Sequence, residues 1–84
     1  MKLNAFGYSK RKVNKHGRLE MSEVTFVANS KDLRRLAAFL TKCADECDSL
    51  GAKFSHGHLQ DESDMEPWPD ENVDVIVAPS HTNS

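Results

Sequence analysis

The sequence predicts an α+β fold in the order ββαββ, with an antiparallel four-stranded sheet and one helix packed on one face of it. Three observations predict it. Ser30–Leu50 carries apolar residues at helical spacing between clear start and stop residues. Two stretches suited to strands precede this segment and two follow it. The chain has 84 residues, enough for one small core and no second one.

The first strand is expected over Lys2–Tyr8, where Leu3, Ala5, Phe6 and Tyr8 supply the apolar residues before a run of Ser, Lys, Asn and Gly. That run, SKRKVNKHGR, reads as a loop. A second strand follows over Leu19–Ala28, with Met21, Val24, Thr25, Phe26 and Val27 fitting a pleated sheet. The two together predict a hairpin with a long basic tip. For the helix, Asn29 and Ser30 are N-cap residues, Asp32 lies in the first turn where a carboxylate favours the dipole, and Gly51 is a natural stop. Its predicted core face is Leu33, Leu36, Ala37, Leu40, Cys43, Ala44, Cys47 and Leu50. Lys53–Gln60 is the expected third strand and Val73–Ala78 the fourth, separated by the acidic stretch DESDMEPWPDEN. Residues 1–79 form the expected single domain, and 80–84 a disordered tail.

Composition narrows the function. No run approaches the roughly 18 apolar residues of a membrane helix, and the N-terminal residues lack a signal-peptide pattern, so a cytoplasmic protein without a membrane partner is expected. Cys43 and Cys47 lie four apart within a helical pattern, which suits reduced thiols better than a disulfide. Charge is distributed unevenly: residues 1–35 hold nine Lys/Arg against three Asp/Glu, and residues 36–84 hold two against ten. The basic residues Lys10, Arg11, Lys12, Lys15 and Arg18 allow a nucleic-acid reading, but no interleaved aromatic residues offer stacking platforms, so a solvated loop is favoured.

Three groups of residues carry possible chemistry. His56 and His58 alternate along a strand, about 7 Å apart on one face, so with Cys43 and Cys47 they form a conceivable Cys2His2 zinc site in a structural or regulatory domain. The cysteines sit in a helix stripe, however, and not on a tight knuckle, which favours core thiols and no bound metal or cofactor. Nucleophilic catalysis by either cysteine with either histidine lacks an activating environment, and one small core leaves little room for a small-molecule substrate, so no enzyme activity is expected. Trp68, between Pro67 and Pro69, is either an interface anchor or a ring folded over the edge of the core. The acidic residues around it, among them Asp61, Glu62, Asp64 and Glu66, would steer the protein toward a basic partner.

Phe6-Gly7-Tyr8, Leu19–Thr25 and Leu33–Leu40 resemble the first half of the immunity protein 32 family of bacterial polymorphic toxin systems. Gly51–Leu59 with Asp61, and the Val-rich strand before Pro79, are similar to its second half, so the resemblance spans nearly the whole chain. It implies a cytoplasmic antidote that binds and neutralises a cognate toxin, without catalytic residues. It assigns no contact residues, so Trp68, Asp61, Glu62, Asp64, Glu66, His56 and His58 are the partner-binding candidates that the residues themselves nominate.

Overall fold

A computed structural model describes residues 1–62 and 68–80. Asp64, Glu66 and all of the expected tail except Ser80 lie outside the described residues. The elements are β1 (Asn4–Val13), β2 (Leu19–Val27), α1 (Ser30–Leu50), a 3-10 turn at Gly51–Lys53, β3 (Gly57–His58), a second 3-10 turn at Leu59–Asp61, and β4 (Ile76–Val77).

The hairpin forms as expected but is longer. β1 pairs antiparallel with β2, Phe6 opposite Thr25 and Tyr8 opposite Glu23, and after a register shift Ser9 lies opposite Met21 and Val13 opposite Leu19. The first half of the basic stretch read as loop, Ser9–Val13, is therefore strand. Asn14 makes the short reversal possible: its Oδ1 accepts from the backbone N–H of His16 (2.9 Å) and Arg18 (3.0 Å), and its own N–H donates to the Arg18 carbonyl (2.9 Å). The irregularity in β1 is a bulge at which Arg11 takes a left-handed φ of 60° while its N–H donates to Ser9 Oγ (2.8 Å).

The helix has the predicted ends. Asn29 Oδ1 accepts from the Asp32 N–H (2.8 Å), and Gly51, at a φ of 54° that favours glycine, returns its N–H to the Cys47 carbonyl. Its buried face differs from the predicted one. Leu36, Phe39 and Cys43 enter the core with Leu3, Phe54 and Leu59, and Cys47 packs against them, whereas Leu33 (42% exposed) and Leu40 (45% exposed) point outward with Ala37 and Ala44. The cause is a broad apolar arc: at about 100° per residue, Phe39 through Ala37 spans roughly 180°, and only the half containing Phe39 is covered.

The single four-stranded sheet is not observed. There are two separate two-stranded antiparallel sheets, β1-β2 and β3-β4, the second with Gly57 opposite Val77 and His58 opposite Ile76. β3 shrinks from the expected Lys53–Gln60 because both ends curl into 3-10 turns, and a short β3 leaves little of Val73–Ala78 to pair. Between the sheets a side chain replaces a backbone ladder. Asn72 accepts from the Leu3 N–H (3.0 Å) and donates to the Met1 carbonyl (2.8 Å), while the Val73 N–H donates to the Leu3 carbonyl (3.1 Å). Buried Asp32 accepts from the Lys2 N–H (3.1 Å), fastening the same segment to the helix start.

Candidate functional site

The sequence-nominated residues near the middle of the chain converge on one shallow depression of about 320 Å³ between α1 and the β3 segment. Its floor is Phe39, Cys43 and Gly57. Glycine gives a close fit at position 57, where a Cβ would lie 3.1 Å from Cys43 Sγ, tight enough to push the sulfur by a few tenths of an ångström, and 3.7 Å from a Phe39 ring carbon. The missing side chain lets β3 lie close against the helix, and this close approach sets the two flanking imidazoles at the rim.

His56 is exposed and His58 half-buried, with ring centroids 5.0 Å apart in an edge-to-face arrangement at 73°. The expected pairing of the two rings is thus present, although His56 lies just before the strand. His58 Nδ1 is 2.7 Å from Asp74 Oδ2, and Asp74 Oδ1 accepts from the Gln60 N–H (3.1 Å). One carboxylate therefore orients the ring and ties β3 to the approach of β4. With Nδ1 engaged, Nε2 is the ring nitrogen left to meet a partner, as acceptor when the ring is neutral and as donor when it is protonated.

The opposite rim is a charged cluster. Lys42 Nζ bonds both Glu62 carboxylate oxygens at 3.1 Å and lies 4.0 Å from Glu46. The hydrogen bond to Glu62, with its negative charge, raises the Lys42 pKa, but the pair faces water and its contribution to stability is small. Asp61, beside it, is exposed. Beneath them, burial pushes the Cys43 thiol above its ordinary pKa of 9.0, and the charges of Glu46 and Glu62 add to the effect. A thiol held neutral in this way is a poor nucleophile and a poor metal ligand. Cys43 is buried and Cys47 half-buried, both are free, and no three His, Cys, Asp or Glu side chains among the described residues converge on a metal position. The Cys43, Cys47, His56 and His58 alternative is therefore not assembled.

Trp68 is half-buried and packs against the core cluster, as do Val73 and Val75. This matches the folded-back reading of the ring while leaving part of it accessible. Asp64 and Glu66 lie outside the described residues, so the acidic surface is seen here only through Asp61 and Glu62 on one side and Asp70 and Glu71 on the other. Lys10, Arg11 and Lys12 lie on β1, Lys15 in the turn and Arg18 just after it, all on a hairpin that does not line the depression.

Sequence reasoning missed three residues that build the site: Asp74, Lys42 and Gly57. Asp74 left a signal, as the one charged residue within the Val- and Ile-rich run VDVIVA, where alternation sets it opposite to Val73 and Val75. Lys42 and Gly57 left none, since each matters only through a segment distant in sequence.

The sequence over residues 23–78 matches the family model for Immunity protein 32. The matched stretch runs from the middle of β2 through the whole of α1 to Ala78 and includes every described residue of the depression. The N-terminal part of the resemblance, Phe6 to Ser22, falls outside it. No curated protein and no solved structure gives a significant match to the chain.

Proposed function

The chain belongs to the immunity protein 32 family, and from that membership we propose that it is a non-catalytic inhibitor that binds and neutralises a cognate toxin in the cytoplasm of the cell that makes both. The observation that carries the reading is the family match over two thirds of the chain, residues 23–78 of 84. No helix among the described residues is long and apolar enough to cross a membrane.

The contact surface proposed is the rim of the depression, with His56, His58, Asp61 and Glu62, together with Trp68 and with Asp64 and Glu66, which lie outside the described residues. Its chemistry supports protein recognition: an acidic edge that attracts a basic partner over long range, the His58 imidazole oriented by Asp74, and an aromatic ring partly seated on the core. A toxin acting on nucleic acid would present the basic surface that such an edge fits.

The test is to purify the toxin encoded beside this gene and measure binding kinetics and cell rescue. Reversing Asp61, Glu62, Asp64 and Glu66 to Lys should slow association strongly at low salt, and Trp68→Ala should speed dissociation by an amount of order 2 kcal/mol. Circular dichroism first confirms that both variants fold. Parental binding and rescue by both would place the interface elsewhere, with the basic hairpin as the next surface to test.

A further inference from the structure

One chain of this protein carries two apolar surfaces of the same length that do not cover each other. On α1, Leu33, Ala37, Leu40 and Ala44 form the uncovered half of the apolar arc. On the hairpin, Phe26 (41% exposed), Val24 (49%) and Met21 (41%) share one face by alternation and register, opposite Ala5, Gly7 and Ser9. The two sets of side chains stay exposed within one copy. An isolated two-stranded ribbon is marginal in water, and apolar residues on an uncovered face are the pattern of a sheet that is buried in use.

We infer that a second copy of this chain covers these surfaces, each copy laying its hairpin across the exposed helix stripe of the other in a two-fold dimer. Three observations point to self-association. The lengths match: β1 spans ten residues, roughly 33 Å, and α1 spans 21, roughly 32 Å. The charges are opposite in sign: the hairpin tip carries Lys10, Arg11, Lys12, Lys15 and Arg18, and the last turns of the helix carry Asp45, Glu46 and Asp48. A partner hairpin running with its tip toward the helix C-terminus sets one against the other. Both surfaces are also open to a partner, since Leu33, Leu40, Met21, Val24 and Phe26 are each 41–49% exposed. A standard interface takes about 800 Å² from each partner. Because each copy supplies both a stripe and a hairpin, the contact is made twice and closes on itself.

The experiment uses the purified full chain alone, so its outcome is independent of whether a toxin is bound. Sedimentation equilibrium at tens of micromolar should give twice the 9.4 kDa chain mass. Leu40→Glu places a charge on the stripe and Val24→Lys places one on the hairpin, both at exposed positions that leave the monomer core untouched. Each variant alone should sediment as a monomer with parental circular dichroism. An equimolar mixture should regain the dimer mass, because the mixed pair sets the introduced carboxylate beside the introduced ammonium group at one contact and keeps the parental residues at the other. A parent that stays monomeric, variants that stay dimeric, or a mixture that fails to reassociate would each overturn the reciprocal arrangement.

Discussion

Truncating Phe39 to Ala should destabilise the protein far more than truncating its neighbour Leu40, and the difference tests which half of the helix arc faces the core. Phe39 is 3% exposed and Leu40 is 45% exposed. Removing a buried Phe side chain costs about 3–5 kcal/mol, the sum of lost transfer free energy and the cavity left behind. A domain of 84 residues has about 4–13 kcal/mol in total, so Phe39→Ala approaches the limit of folding. For Leu40 the cavity term vanishes, because water fills the space. About half of the 1.5–3 kcal/mol for burying a leucine is at stake, roughly 1 kcal/mol. The gap of about 3 kcal/mol corresponds to at least ~12 °C in melting temperature for a domain of this size. Urea and thermal unfolding, followed by circular dichroism and by fluorescence of Trp68 against the core, read it out directly. The measurement belongs at low protein concentration, since in a dimer Leu40 is covered and its truncation would cost more as concentration rises. Equal losses in the two variants, or a larger one for Leu40, would return the helix to the face expected from spacing alone and refute this packing.

Two further outcomes are expected. Asp74→Ala removes the acceptor of both His58 Nδ1 and the Gln60 N–H and should cost about 2 kcal/mol in urea unfolding, as for a partly buried hydrogen bond to a charged group; a loss below about 0.5 kcal/mol would mean the contact does not hold β3 to β4. Cys43 should resist alkylation while Cys47 reacts, and since its pKa is raised in the folded state, the proton is held more tightly there than in the unfolded chain. That contribution to stability is present below the ordinary thiol pKa of 9.0 and is lost as pH rises through the folded value, so Cys43→Ser should flatten the alkaline decline of the unfolding free energy. An unchanged slope above pH 9.0 would refute the assignment.

The sequence by itself determined the features that depend on near neighbours. The helix begins at Ser30 and ends at Leu50 because Asn29 caps one end and Gly51 takes a positive φ at the other, both decided within about four residues. The pairing of the first two strands was legible in their residue types and in the turn residues between them. The nearness of His56 and His58 was legible in their spacing on either side of Gly57, and the family in the order of the motifs. What only the tertiary structure decided is which of several locally equivalent choices the rest of the chain covers. An apolar arc of roughly 180° offers two faces, and the core took the one with the larger side chain, Phe39, because Leu3, Phe54 and Leu59 meet there. Asp74 acquires a role only because the segment leading into β4 brings it to His58, 16 residues away, and Asn72 only because the chain start returns to it across 69 residues. The expected sheet divided into two for the same reason. Strand propensity is local, but a ladder needs two segments to arrive side by side, and the 3-10 turns at Gly51–Lys53 and Leu59–Asp61 leave β3 too short to join the hairpin.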